Sequence, residues 1–241
     1  MPSLVVKRQG RVAVLTLNRP EHGNRLTTAL AGEVAAALRA ARDDAGIGAC
    51  VLTGAGDVFC LGGDYRGAGP TDEGRNAYAD ALLEMDDAMA RLGKPLVAAV
   101  NGNAHAGGFG LMVACDLAVA AHDATLGLPE AAAGLFPFIA LATVRDALPK
   151  KVLFDLIYRA RLMDTGEALA LHLVNEALPG AQVLARAVAL AERASAYDPR
   201  IVALGRGLFY ETRAARPSEA LAEARLALLA ALAAADETVA P

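Results

Sequence analysis

The chain of 241 residues contains no tryptophan, three cysteines and no excess of basic residues. Cys50, Cys60 and Cys115 show no paired metal-ligand spacing, and an odd number of cysteines cannot all pair within the chain. Reduced thiols in a cytoplasmic protein are therefore expected. The net charge of -4 gives no electrostatic reason to expect a nucleic-acid partner.

Features of export and membrane insertion are also missing. The first ten residues lack a basic stretch followed by an apolar one, so no signal peptide is predicted. Apolar runs such as Leu96–Val100 are far too short to span a bilayer. A hydrophobic content of 55% therefore indicates a generous core, and no membrane partner is expected.

Strands and helices alternate through the first half of the chain. Alternating or continuous apolar runs predict strands at residues 11–17, 48–54, 95–101 and 116–120. Helical spacing predicts helices at residues 27–41, with Thr27 or Thr28 as the N-cap, and at residues 76–92 and 111–115. A capping-box-like pattern with Asp164 as the N-cap predicts a further helix at residues 164–171. This order is typical of an α/β domain with largely parallel strands. From residue 148 onward the pattern is almost wholly helical, with a break near Arg216-Pro217.

Two glycine turns each follow a predicted strand: Leu61-Gly62-Gly63-Asp64 and Ala106-Gly107-Gly108-Phe109. A tight glycine turn lets backbone N–H groups approach a ligand closely, and such donors stabilise the negative charge of an enolate oxygen. Nucleotide-binding turns fit less well, because no Gly-x-Gly-x-x-Gly opens the first helix and no Gly-Lys-Ser/Thr follows a glycine-rich loop.

Five segments together carry a family resemblance. They are Leu17-Asn18-Arg19-Pro20-Glu21, Phe59 to Asp64, Val100-Asn101-Gly102 to Asp116, Leu126 to Pro137, and Thr165 to Asn175. In this order they resemble the crotonase superfamily, the enoyl-CoA hydratase/isomerase enzymes, over residues 5–178. The resemblance implies an α/β fold with a ββα spiral core in residues 1–196. It also implies a helical region in residues 197–241 that forms trimers, often paired into hexamers.

The resemblance further implies an acyl-CoA thioester as substrate, with no cofactor and no metal. By position, the N–H groups of Gly63 and Gly107 would hold the thioester oxygen. Gly62, Asp64 and Arg66 are the candidate CoA-binding residues. At the position of Arg66 the family often has a basic residue near the CoA phosphates. An arginine on a solvated loop is the alternative for Arg66, and a helix N-cap is the alternative for Asp64.

One expected carboxylate is missing. Hydratases of this family use two glutamates; the second matches Glu130, but the first would fall at Gly110, twenty residues earlier. A single carboxylate can still move a proton between two carbons, so we expect an enoyl-CoA isomerase with Glu130 as the acid/base. We also expect burial to raise the pKa of Glu130 more than a helix N-terminus would lower it.

Three other functions stay open. Glu130 alone could support hydration of the double bond. The chain could bind acyl-CoA without turnover as an assembly subunit. It could also catalyse another enolate reaction, such as decarboxylation or thioester hydrolysis, because the fold supports several chemistries.

Further residues are secondary candidates. Tyr78 and Glu84 could line the acyl pocket, and Phe136, Phe138 and Ile139 could form its apolar wall. His105 is expected to be a hydrogen-bonded core residue rather than a catalyst. Asp116 is expected to be structural.

Overall fold

The computed structural model describes residues 2–239, with two β-sheets and surrounding helices. The strands are β1 (Leu4–Gln9), β2 (Val12–Leu17), β3 (Ala49–Gly54), β4 (Val58–Cys60), β5 (Leu96–Val100), β6 (Asn103–His105), β7 (Leu117–Ala121), β8 (Thr125–Gly127), β9 (Leu162–Asp164) and β10 (Glu176–Leu178). The helices are α1 (Thr28–Asp43), α2 (Asp72–Ala90), α3 (Gly107–Ala114), α4 (Phe138–Val144), α5 (Lys150–Tyr158), α6 (Thr165–Ala170), α7 (Gly180–Ala194), α8 (Pro199–Glu211) and α9 (Pro217–Val239).

The larger sheet has six strands in the order β1-β2-β3-β5-β7-β10. Only β1 pairs antiparallel; the four pairs from β2 to β10 are parallel. Strands β3 and β5 are buried along their whole length, as expected where helices cover both faces of a parallel sheet. The prediction of a largely parallel α/β domain is confirmed.

Two apolar clusters lie on opposite faces of this sheet. On one face, Leu15 and Leu52 belong to a large cluster that includes buried residues of α1 and α2. On the other face, Val14 and Val51 pack in a smaller cluster that includes Val183 of α7. The alternation of neighbours such as Val14 and Leu15 between the two clusters follows from the two-residue period of a strand.

The smaller sheet has the order β4-β6-β8-β9 and positions the glycine turns. Strands β4, β6 and β8 run parallel, so their carboxyl ends meet at one edge. Gly62-Gly63 follows β4, Ala106-Gly107 follows β6, and Pro129-Glu130 follows β8. The topology therefore brings these three segments together, although they are far apart in the sequence.

A buried arginine helps to attach helix α8 to the rest of the chain. Arg206 of α8 donates from Nε to Asp116 Oδ2 at 3.0 Å and from Nη1 to Ala90 O at 2.6 Å. Asp116 also accepts a 2.8 Å hydrogen bond from Leu96 N, so its expected structural role is confirmed. Helix α9 packs against α8, and no helix within residues 2–239 has the length and apolarity to cross a membrane.

Several predicted boundaries were correct. Thr27 caps α1 through its hydroxyl, and Asp164 caps α6 by accepting from Glu167 N. The break near Arg216-Pro217 separates α8 from α9. Ala240 and Pro241, the end of the predicted helical region 197–241, lie outside the described residues.

Other boundaries were wrong. Helix α2 begins at Asp72 rather than residue 76, because the Thr71 hydroxyl accepts from Gly74 N and caps the helix earlier. Helix α3 begins at Gly107 rather than residue 111, so the second glycine turn is itself the helix N-terminus. Strands β1, β6, β8 and β9 were not predicted. The last three have only three residues each, which carry too little periodicity to indicate a strand.

Candidate active site

The two glycine turns lie against each other. Gly62 has a φ of +96°, and a β-carbon there would lie 2.6 Å from Ala106 Cβ and 3.3 Å from Gly107 N. Only glycine fits this contact. Ala106 itself has φ +55° and ψ -127°, a conformation that costs an alanine on the order of 1–3 kcal/mol. Such strain is typical of a functional turn.

Two backbone donors are free at this contact. Among residues 2–239, neither Gly63 N–H nor Gly107 N–H donates a hydrogen bond, while the neighbouring Asp64 N and Ala106 N donate to Leu26 O and Gly127 O. Gly107 is the first residue of α3, where N–H groups have no partner within the helix and the dipole is positive. The two N–H groups can therefore bind an oxygen that carries negative charge.

Glu130 lies beside these donors on a 3-10 turn, Pro129–Ala133, that follows β8. The 2.8 Å hydrogen bond from Ala106 N to Gly127 O ties the second glycine turn to the strand that carries Glu130. One carboxylate oxygen, Oε2, is buried and has no hydrogen-bond partner within the described residues. Burial raises the pKa of Glu130, which is the direction expected from the sequence. Such a carboxylate is suited to accept a proton.

Two cavities meet at this point. The apolar cavity, of about 290 Å³, extends between α2, α3 and α4, and its wall includes Phe136, Phe138 and Ile139 as predicted. The polar cavity, of about 450 Å³, is lined by charged or polar side chains that include Arg25, Asp64, Arg66 and His105. The residues common to both cavities are Gly63, Tyr65, Gly107, Glu130 and Leu135. A ligand with an apolar and an anionic part would therefore pass the free N–H groups at its middle.

Comparison with known proteins agrees with this geometry. The sequence model of the enoyl-CoA hydratase/isomerase family matches residues 7–238. An enoyl-CoA hydratase of Mycobacterium tuberculosis is 33% identical over 207 residues, 83% of this chain and 77% of that protein. The 2,3-dehydroadipyl-CoA hydratase of Escherichia coli is 33% identical over 83% of this chain and 78% of its own length. The crystal structure of an enoyl-CoA hydratase of Mycobacterium smegmatis superposes with a TM-score of 0.91 at 28% identity, covering 96% of this chain and 91% of that one.

The chain belongs to the enoyl-CoA hydratase/isomerase family. Its fold is the crotonase fold of that family, with helices at the C-terminus, as predicted.

At the position of the family's first glutamate, a side chain would start in close contact with α4. Gly110 lines the apolar cavity, and a β-carbon there would lie 3.3 Å from Ala140 Cβ on α4. Helix α4 therefore occupies the direction in which a side chain at residue 110 would begin. Glu130 is the one Asp or Glu side chain within the described residues that lines both cavities.

Two of the candidate CoA-binding residues, Asp64 and Arg66, line the polar cavity, and Gly62 does not. Arg66 is exposed on the 3-10 turn Tyr65–Ala68, at the mouth of the polar cavity. Arg25 lines the same cavity and was missed from the sequence; its Nη1 donates to Leu61 O at 2.7 Å. Gly62 is buried behind the turn. Two guanidinium groups at one cavity suit phosphate groups.

Asp64 is not the helix N-cap that the sequence indicated. Its side chain makes no capping hydrogen bond to the turn that follows it. The carboxylate instead pairs with Arg19 Nη2 at 3.3 Å. An arginine 45 residues away in the sequence thus satisfies the side chain in place of the local N–H groups.

The structure places one of the secondary candidates in the apolar cavity, one in the polar cavity and one on the surface. Tyr78 lines the apolar cavity as predicted, and burial raises its pKa to about 12. Glu84 does not; it forms an exposed ion pair with Arg39 at 3.5 Å. His105 lines the polar cavity, but its Nε2 is hydrogen-bonded to Thr125 Oγ1 at 2.8 Å and burial lowers its pKa.

Asp86 is a cavity residue that sequence reasoning missed. It lines the apolar cavity from α2, and desolvation raises its pKa to about 6. The signal was available: Tyr78, Leu82 and Asp86 recur every four residues and therefore share one face of the helix. A carboxylate on the cavity face of an otherwise apolar stripe indicates a functional position.

Proposed function

We propose that the protein is an enoyl-CoA isomerase that shifts a double bond from the β,γ to the α,β position. The observation that carries the proposal is the junction of the two cavities. There, the free N–H groups of Gly63 and Gly107 and the unpartnered Oε2 of Glu130 are available to a ligand. The acyl chain would enter the apolar cavity and the CoA phosphates would lie near Arg25 and Arg66.

The reaction needs one base and one oxyanion site. The Glu130 carboxylate removes a proton from the α-carbon, and the electron pair moves onto the thioester oxygen. The Gly63 and Gly107 N–H groups stabilise that charge, and loss of one such donor costs on the order of a hundred- to a thousandfold in rate. The protonated Glu130 then returns the proton to the γ-carbon, which leaves the double bond between the α- and β-carbons.

The raised pKa of Glu130 fits both halves of this cycle. Because desolvation disfavours the charged carboxylate, the group binds a proton more tightly than an exposed glutamate does. A raised pKa brings the carboxylate closer to the range that suits proton transfer in both directions. The reaction is redox-neutral and its thioester comes with the substrate, so the proposed chemistry calls for no cofactor and no metal.

Hydration with Glu130 alone is the second candidate. It is favoured by the relatives, several of which are named hydratases, including those of M. tuberculosis and E. coli. Against it stands Gly110, since adding water to a double bond calls for a base for the water and an acid for the α-carbon. We do not assign Asp86 as the second acid or base, because it lines the apolar cavity but not the polar one.

A product assay on wild type decides between these functions. The enzyme would be incubated separately with a β,γ-enoyl-CoA and an α,β-enoyl-CoA, and the products separated by chromatography and identified by mass. Migration of the double bond without gain of water supports the isomerase. Gain of water from the α,β-substrate supports the hydratase. Binding of both thioesters without turnover would contradict both and support the non-catalytic subunit.

We also propose that α8 and α9, within the C-terminal region 197–241, join copies of the chain into a trimer or a hexamer. The support is a set of exposed apolar side chains on these helices: Phe209, Leu221, Leu226, Leu228, Leu229 and Leu232. Exposed apolar surface of this extent is typical of an interface. Sedimentation equilibrium would give the oligomeric state, and a monomer would contradict the proposal. We also propose a cytoplasmic location, because the three cysteines are free thiols.

A further inference from the structure

A third cavity adjoins the apolar one. This outer cavity, of about 700 Å³, lies between α2, α3, α4 and α8. Asp86 and Thr143 line both the apolar and the outer cavity. Neither residue lines the polar cavity, where the candidate CoA-binding arginines lie. Asp86 and Thr143 therefore mark the end of the apolar cavity away from the CoA side.

The positions of two residues on α2 give the distance from the first glycine turn to that end. Tyr78 lies beside the first glycine turn, because a β-carbon on Gly63 would be 2.0 Å from its hydroxyl. Asp86 lies eight residues further along the same face, with Leu82 between them. At 1.5 Å of rise per residue, the two positions are about 12 Å apart along the helix axis. A chain of several carbons fits between the oxyanion site and Asp86.

Asp86 is poorly satisfied by the protein. Its one hydrogen bond within the described residues comes from Thr143 Oγ1 at 3.5 Å, and the same hydroxyl lies 3.5 Å from Ile139 O. No Lys or Arg of residues 2–239 forms an ion pair with Asp86. The arginines of the outer cavity are paired elsewhere, Arg206 with Asp116 and Arg213 with Asp146.

A carboxyl group that faces an apolar cavity is unfavourable unless a partner hydrogen-bonds it. Within the cavity its neighbours include Met85, Phe136 and Ile139, which offer no side-chain donor. The raised pKa of Asp86, about 6, has the same cause, namely desolvation. A ligand that carries a hydrogen-bond donor to this end of the cavity would supply such a partner.

We propose that Asp86 and Thr143 form a polar end to the acyl pocket and select acyl chains that carry a hydroxyl group at their far end. The hydroxyl donates to the Asp86 carboxylate and can accept from Thr143. A methyl-terminated chain leaves Asp86 unsatisfied, and a carboxylate-terminated chain places a like charge against it. The inference rests on the proposed function in one respect, that the apolar cavity holds the acyl chain of a CoA thioester.

Binding of unreactive thioesters tests the proposal. Saturated acyl-CoAs of matched length, ending in methyl, hydroxyl or carboxylate, would be titrated calorimetrically into wild type over a series of chain lengths. At the best length we expect the hydroxyl-terminated thioester to bind about tenfold more tightly than the methyl-terminated one, as for a hydrogen bond to a charged group. Asp86→Leu should reverse that order and Asp86→Asn should keep part of it. Asp87→Asn, a change at the adjacent exposed residue, should leave it unchanged.

Two results would overturn the proposal. One is equal or tighter binding of the methyl-terminated chain at every length. The other is a hydroxyl preference that survives in a folded Asp86→Leu variant. Because the ligands are saturated, the outcome is independent of turnover: preference without isomerisation contradicts only the proposed reaction, and isomerisation without preference contradicts only the role of Asp86.

Discussion

Gly63 and Tyr78 are packed so closely that a β-carbon on Gly63 would lie 2.0 Å from the Tyr78 hydroxyl and 3.4 Å from its ζ-carbon. The hydroxyl thus occupies the space that any side chain at residue 63 would need. Helix α2 and the first glycine turn are fitted to each other at the point where the proposed oxyanion donor lies. This contact supplies a test that separates packing from chemistry.

Gly63→Ala should be destabilised by about 1–3 kcal/mol, the usual range for overpacking. Tyr78→Phe removes the atom at 2.0 Å and leaves the ring at 3.4 Å, an ordinary contact. In the double variant we therefore expect most of the lost stability to return. Urea unfolding of the two single variants and the double variant measures the coupling. Additive effects would show that the turn moves away from α2 instead.

Replacement of Glu130 should stabilise the fold at neutral pH. Because its pKa is raised in the folded protein, the folded state holds the proton more tightly than the unfolded chain does. As the pH rises past about 4.3, the unfolded chain loses its proton first and wild type loses stability. Glu130→Gln carries no such penalty. Its free energy of unfolding should exceed that of wild type at pH 7, and the difference should vanish below about pH 4. Equal stability at pH 7 would contradict the burial argument.

Arg66 should affect substrate binding rather than the chemical step. Its side chain is exposed at the mouth of the polar cavity, where a phosphate contact is screened by solvent. Arg66→Gln should raise KM for an enoyl-CoA about two- to fivefold with kcat unchanged. The difference should shrink in high salt. Arg75→Gln, at an exposed arginine paired with Asp72, is the matched control. A change confined to kcat would contradict the assignment.

Arg206 should be needed for stability. Its side chain is 6% exposed and pairs with Asp116, Ala90 O and the Tyr210 ring. Arg206→Ala leaves Asp116 without that partner and should cost on the order of 3 kcal/mol. Arg216→Ala removes an exposed pair with Glu219 and should cost less than about 1 kcal/mol. Denaturant midpoints of the two variants compare the effects directly, and equal costs would show that α8 is held by other contacts.

Much of the site could be predicted because its residues lie in short local sequence patterns. The two glycine turns and Glu130 follow short strands, and parallel pairing of those strands brings them to one edge. Their order along the chain was enough to indicate the family. Thr27 and Asp164 were predicted as caps because capping depends on residues within one turn.

The remaining features depend on tertiary packing. Asp64 pairs with Arg19, a contact that local patterns cannot indicate. Asp86 shares a helix face with Tyr78 and Leu82, but that this face lines the apolar cavity depends on the packing of α2 beside α4. Arg25 reaches the polar cavity because Leu26 pairs with Gly63, so two distant turns share one wall.

The central claim is that Glu130 moves the proton. It is tested most directly by the rate at which Glu130→Gln isomerises a β,γ-enoyl-CoA, with Glu84→Gln as the exposed control and thioester affinity measured in parallel. The account predicts a loss of at least about a hundredfold in kcat for Glu130→Gln, with affinity retained and the control unaffected. A Glu130→Gln variant that isomerises the substrate at a rate near that of wild type would contradict it.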